Sequence, residues 1–224
     1  MRLNNYLTEF KVIKMEDTLT LLKRNCSEYI RELRSGKNFF IRENNKFVIY
    51  SEDDVILLPP REDRAPRDMN IYLHNEMNNL LKAKFGWKPR SEGLFVWVTP
   101  QNKNFKRNSF EETEKRLIFP TDGYKYVYSK SIPDIFYEYE RIEDELYDIS
   151  DNYTPEELNE KFLNWFTKEA LPTYTDKNVL KANFPLIETE CSLRTTKAFV
   201  IAQVNIPLLN NTFNLNIKPV RDYQ

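Results

Sequence analysis

The residues of this chain with the richest chemistry are arginines, carboxylates and one histidine, and they fall into a few groups. The densest is Arg61-Glu62-Asp63-Arg64-Ala65-Pro66-Arg67-Asp68, three arginines and three acids in eight residues. A guanidinium is a planar fork matched to carboxylate or phosphate. The run therefore reads either as a solvated loop whose charges pair for little net energy or as a loop that anchors an anion. Arg90 follows Gly86-Trp87-Lys88-Pro89 and adds a cation just before an apolar run. Glu188-Thr189-Glu190 spaces two carboxylates at i, i+2, so in a strand both share one face. That face is either solvated or a site. Arg42 ends a short strand-like run, where an exposed arginine is ordinary. His74, the only histidine, lies in a helical pattern, and a surface or packing role is its plain reading.

Several function classes are excluded by what is missing. There is no GxGxxG and no GxxxxGK[ST], and four glycines in 224 residues leave little for a glycine-rich phosphate cradle. There is no GxSxG elbow. Two cysteines, Cys26 and Cys191, and one histidine support neither a disulfide framework nor a zinc site, so no metal is expected. A net charge of −1 gives no global attraction to nucleic acid or to an anionic membrane. A local patch of Arg61, Arg64, Arg67, Lys88 and Arg90 with Trp87 keeps a nucleic-acid-binding reading open. No apolar run approaches the roughly 18 residues of a membrane span, and the first residues lack the apolar core of a signal peptide. The cytoplasm is the expected location.

These residues need elements to position them. Leu19, Leu22, Cys26, Tyr29, Ile30 and Leu33 recur at helical spacing over Thr18–Arg34, with Gly36 as a stop. Asn38–Arg42 and Lys46–Tyr50 read as a hairpin. A helix is expected from about Asn70 to Phe85, with Asp68 as a plausible cap and Gly86 as terminator. Gly93–Thr99, GLFVWVT, is the central-strand candidate. Ser109–Lys115 reads as helical, and Leu117–Phe119 and Lys125–Tyr128 as strands around Pro120-Thr121-Asp122-Gly123. Ser131–Tyr147 is an acidic helix. Thr154-Pro155-Glu156-Glu157 starts another that runs to about Ala170, with Leu158, Phe162 and Trp165 inward. Leu186–Ile206 is β-rich. Strands and helices mix without a βαβ rhythm, which predicts an α+β fold. The expected organisation is one domain over 1–224, with an N-terminal extension (1–17), a core (18–210) and a C-terminal tail (211–224).

Five segments, taken in order, resemble a group of phage-encoded proteins related to ADP-ribosyltransferases. They are LLKRNCSEYIREL, NFFIREN, REDRAPRDMNIYLHNEMNNLLKAKFGWKPRSEGLFVWVT, FPTDGYKYVYSKSIPDIF and YTDKNVLKANFPLIETEC. The resemblance implies an ADP-ribosyltransferase-like fold and transfer of ADP-ribose from NAD to a host protein or nucleic acid. It maps Arg42 onto the NAD-binding arginine of an early strand and Thr99 onto the hydroxyl position on the nicotinamide side. It maps Glu188, with Glu190 as the alternative, onto the late catalytic carboxylate. Arg64, Arg67, His74 and Arg90 fall in the long central block and are expected to contact the diphosphate, the substrate or the fold. The chain departs from the family in carrying Glu43 after Arg42 where a glycine is usual, and Val98-Thr99-Pro100 in place of a Ser/Thr-rich run. The alternative reading is a member without catalysis that serves as a virion structural or host-interaction protein. The resemblance places the protein in the host cell cytoplasm or with the virion.

Overall fold

A computed structural model describes residues 11–44, 54–59, 65–66, 69–101, 114–149, 153–184 and 189–218. Among the described residues, the strands are β1 (Lys11–Lys14), β2 (Asn38–Asn44), β3 (Asp54–Leu58), β4 (Leu94–Pro100), β5 (Glu114–Pro120), β6 (Lys125–Ser129), β7 (Tyr174–Thr175), β8 (Thr189–Arg194) and β9 (Ala198–Ala202). They form one sheet in the order β1-β3-β9-β5-β2-β4-β8-β6-β7, with every neighbour antiparallel. The helices are α1 (Met15–Asn25), α2 (Ser27–Ser35), α3 (Ile71–Phe85), α4 (Pro89–Glu92), α5 (Ile135–Ile149), α6 (Pro155–Trp165), α7 (Leu171–Thr173) and α8 (Ile206–Phe213). A π-helical turn, Phe166–Ala170, joins α6 to α7. The α+β expectation holds, and the GLFVWVT run becomes β4, inside the sheet between β2 and β8.

Successive side chains on a strand alternate faces, and directly paired residues share a face. The register therefore puts Phe95, Trp97 and Thr99 of β4 on one face with Glu190 and Ser192 of β8, Val127 of β6 and Tyr174 of β7. This face is covered by helices. Leu73, Met77 and Leu81 of α3, Trp87, and Phe162 and Phe166 form one core cluster with Val127, and Tyr174 packs against it. Each fully buried Leu or Met there stabilises the fold by about 1.5–3 kcal/mol. On the other face lie Phe40, Val96, Val98, Cys191 and Leu193, in the larger core cluster that includes Leu22, Cys26, Tyr29, Ile30 and Leu33 of the first two helical segments. Tyr29 stacks on Phe40 with centroids 5.4 Å apart. Its hydroxyl accepts the Phe40 backbone N–H at 2.9 Å, and the β2–β5 ladder begins only at Ile41.

Several expectations are corrected. The single helix over Thr18–Arg34 is two helices broken at Cys26, because Asp122, from the turn between β5 and β6, caps the second. Its carboxylate accepts from Glu28 N at 2.8 Å and from Ser27 Oγ at 2.7 Å, while Glu28 accepts from Gly123 N at 3.0 Å. The described neighbours of β2 are β4 and β5, and Lys46–Tyr50 lies outside the described residues. Glu114 and Lys115 open strand β5 instead of closing a helix, and 109–113 lie outside the described residues. Asn70 caps α3 by accepting from Tyr72 N at 2.8 Å; Asp68 is outside the described residues. Trp165 is only half-buried, and Phe166 takes the inward position. Residues on both sides of the expected core take part in the fold. Lys11–Lys14 pairs with β3. Phe213, Leu215 and Ile217 are buried, with Asn210 bonded to both backbone groups of Ile217.

Other local signals act as read. Thr154 and Glu157 form a reciprocal capping box at α6. Gly86 ends α3 in the left-handed region at φ 79°.

Candidate functional site

The site forms where α3, α4, β4 and β8 meet. After Gly86 the chain makes the four-residue helix α4 and passes through Gly93 straight into β4. Gly93 permits this tight connection. A Cβ there would lie 2.3 Å from Pro89 O and 3.1 Å from Ser192 Cβ. The short helix thus rests on β8, and two ion pairs tether it: Arg90 Nη1 lies 3.6 Å from Glu190 Oε1, and Glu92 Oε2 lies 3.3 Å from Arg194 Nη1.

Arg90 is 9% exposed, and its guanidinium carbon sits 5.3 Å from the centroid of the Phe95 ring. Such a placement is a cation–π contact. At 3.6 Å its approach to Glu190 is an ion pair but not a hydrogen bond, and Arg90 Nε has no hydrogen-bond partner. Glu190 is held through its backbone, whose N–H donates to Pro133 O at 2.8 Å. Trp97 lies directly opposite it on β4. Tyr174 borders the pair. Burial raises its phenol well above the usual range; Arg90 opposes the shift, and Glu190 and Asp134 add to it. Cys191, next in sequence but on the other face, is also pushed upward, by burial first and then by the Glu190 charge. Thr99, two residues along β4 from Trp97, is 0% exposed, and its Oγ1 has no hydrogen-bond partner.

Behind Arg90 stands a polar cluster on α3. Asn78 Oδ1 accepts from Arg90 N at 3.0 Å, Asn78 Nδ2 donates to Ser91 Oγ at 2.7 Å, and Ser91 Oγ lies 3.1 Å from His74 Nε2. His74 is therefore a buried, hydrogen-bonded residue, beyond the plain packing role its helical position suggests.

The structure gathers only part of the expected set. Thr99 and Glu190 share a face with Arg90, and His74 stands one layer behind. Arg42 is not with them. Ile41 pairs with Trp97, so Arg42 turns to the opposite face, where its directly paired neighbour is Arg116 of β5. The expectation that Arg42 and Thr99 line one cleft is corrected by this alternation of the β2 side chains. Glu188, Arg64 and Arg67 lie outside the described residues. Sequence reasoning missed Asn78, Ser91, Phe95, Trp97 and Tyr174. The one available signal was the polar pair Arg90-Ser91 directly ahead of an apolar strand.

A cavity of about 880 Å³ lies apart from this pair, between the start of α3 and α6, lined by Asn70, Tyr72, Glu156, Glu160, Leu163 and neighbours. It shares no residue with the Arg90 cluster, where charge and aromatic rings converge. Among the described residues, no group of three or more His, Cys, Asp or Glu side chains forms a metal cluster. No described helix is long and apolar enough to cross a membrane. No protein-family model, curated protein or solved structure matches the chain.

The arrangement combines a carboxylate, a guanidinium with an unspent donor, two aromatic rings and a buried hydroxyl. Its guanidinium can hold an anion, its rings can stack a planar base, and its carboxylate can stabilise a developing positive charge.

Proposed function

We propose that this face binds NAD and transfers its ADP-ribose to a macromolecular acceptor, with Glu190 as the catalytic carboxylate. The observation that carries the reading is the placement of Glu190 and Thr99 on one face of adjacent strands, with the Arg90 guanidinium 3.6 Å from the Glu190 carboxylate. In the reaction the bond between ribose C1 and nicotinamide breaks, and its electron pair leaves with nicotinamide. The acceptor nucleophile forms the new bond to C1 and releases its proton to water. Positive charge grows on the sugar between these events, and an ionised carboxylate binds that state more strongly than the ground state. Arg90 takes the diphosphate, Trp97 and Phe95 supply flat surfaces for the rings, and Thr99 supports the nicotinamide side. Following the family resemblance, the acceptor is a host protein or nucleic acid and the protein serves a phage. Titration calorimetry of NAD into the full chain tests the binding step: micromolar binding that Arg90→Ala abolishes is expected, and no binding overturns the reading.

A second reading is favoured by one observation, the position of Arg42 on the opposite face. In it the chain keeps the scaffold without turnover and acts as a virion or host-interaction protein. It expects no NAD binding and stable co-purification with phage particles.

A further inference from the structure

A four-residue helix has no stability of its own, since helix nucleation is unfavourable and isolated short helices do not persist. Arg90 sits in such a helix, yet its side chain meets β8 and the Phe95 ring at defined distances. Besides β8, α3 holds α4 from behind. His74 and Asn78 are spaced i, i+4 and therefore lie on one face of that helix. They are 2% and 1% exposed.

The Asn78 atoms can be assigned from the hydrogen bonds themselves. A backbone N–H only donates, so the Asn78 atom facing Arg90 N at 3.0 Å is the oxygen. The amide nitrogen then faces Ser91 Oγ at 2.7 Å and donates to it. Ser91 Oγ also lies 3.1 Å from His74 Nε2, a contact in which either atom can donate. One asparagine side chain thus grips two consecutive residues of α4, and the first of them is Arg90. No nucleophilic role for Ser91 emerges from this. Its own backbone N–H is spent on Lys88 O at 3.2 Å and that of Glu92 on the same oxygen at 2.8 Å, so no pair of donors is left to receive an oxyanion.

The front of Arg90 is less well satisfied than its back. A buried cation 3.6 Å from its counter-ion forgoes the charge-assisted hydrogen bonds of about 2.7–2.9 Å that a well-aligned carboxylate or phosphate would give. Its Nε donor has no partner at all. A guanidinium presented rigidly, 11% exposed at the side chain and with an unused donor, is suited to exchange its partner.

We propose that His74, Asn78 and Ser91 are positioning residues that set Arg90 as a latch on Glu190, and that a diphosphate-bearing ligand opens the latch by taking the guanidinium from the carboxylate. This rests on the NAD reading for the identity of the ligand but not for the latch itself. Ligand entry and the breaking of the Arg90–Glu190 ion pair become one event. The competition has a direct consequence: Glu190 opposes anion binding in the resting protein.

The experiment titrates inorganic pyrophosphate into the full chain by calorimetry, with NAD titrated in parallel. Glu190→Gln removes the internal competitor, and pyrophosphate affinity is expected to rise about twofold to tenfold, the range of a coupling between neighbouring charges. Arg90→Ala is expected to abolish binding, and Arg90→Lys, which keeps the charge, to weaken it. Asn78→Ala is expected to weaken pyrophosphate and also to erase the gain from Glu190→Gln when the two are combined. A merely structural asparagine would shift both backgrounds equally. Should Arg90→Ala fail to fold, Arg90→Lys and the Asn78→Ala/Glu190→Gln pair decide the matter. Unchanged affinity in Glu190→Gln, an undiminished gain in the Asn78→Ala background, or no pyrophosphate binding by either the native chain or Glu190→Gln overturns the latch. Pyrophosphate binding with the expected pattern but no NAD binding leaves the latch standing and removes the NAD reading.

Discussion

Glu190 of β8 lies directly across from Trp97 of β4, so the carboxylate that pairs with Arg90 and this indole stand side by side on one face of the sheet. A base or nicotinamide ring bound beside Glu190 has this indole as a stacking surface. Trp97→Ala is therefore expected to weaken NAD binding about fivefold to a hundredfold, since stacking a base on an aromatic side chain contributes about 1–3 kcal/mol. Trp97→Phe should retain most of the affinity. Calorimetry checks both; equal affinity in Trp97→Ala would remove the ring from the site.

Gly93 and Gly86 bracket α4 for different reasons, and substitution separates them. A Cβ at Gly93 meets Pro89 O at 2.3 Å, whereas one at Gly86 meets nothing within 4 Å but must adopt φ 79°. Gly93→Ala is expected to cost about 1–3 kcal/mol through forced backbone movement and to disturb pyrophosphate binding, because α4 must lift from β8. Gly86→Ala is expected to cost about 1 kcal/mol of backbone strain with little effect on the site. Denaturant unfolding with a parallel binding titration distinguishes them.

Asp122 caps α2 from 94 residues away in sequence. Its replacement by alanine leaves Glu28 N and Ser27 without their acceptor. The expected loss is about 1 kcal/mol, a fall in melting temperature of about 2–4 °C for a chain of this size, read by thermal unfolding. Pyrophosphate and NAD affinity should not change, because the cap and Arg90 lie in different parts of the molecule.

The two cysteines are buried and free. Burial, with a smaller push from Asp122, moves the Cys26 thiol from its ordinary 9.0 up to about 12, and burial chiefly moves the Tyr128 phenol from 10.0 up to about 12. In both cases the folded state keeps a proton that the unfolded chain releases. Their effect on stability is nil below about pH 9 and becomes a loss as pH rises from there toward 12. Denaturant midpoints should hold through neutral pH and decline above about pH 9. At pH 8 a bulky disulfide reagent should react with neither thiol until the chain is unfolded, and then with both.

Much of the frame was legible because it is local. The alternation of GLFVWVT gives β4, the Thr154–Glu157 box starts α6, and Gly86 ends α3. The breaks in that reading come from tertiary partners. No residue near Cys26 signals the end of α1, because the cap of α2 arrives with Asp122. Glu114 and Lys115 carry charge that suits a helix surface, yet sheet pairing with Asn44 and Glu43 of β2 draws them into a strand. At the site, Arg90 and Glu190 were visible as residue types, and their meeting was not, since it depends on α4 folding back over β8. Arg42 was misplaced for a simpler reason. One residue of register decides its face, and Ile41 holds the position opposite Trp97.

The central claim is that Glu190 serves the transfer of ADP-ribose. The most direct measurement incubates the full chain and its Glu190→Gln variant with NAD labelled in the adenylate half, in a cell lysate that supplies candidate acceptors, and counts label retained on macromolecules. The expected result is acid-stable label with the native chain and a loss of at least about a hundredfold with Glu190→Gln, the scale of removing one electrostatic stabiliser of a transition state. Label that persists undiminished in Glu190→Gln, or none above background with either protein, would contradict it.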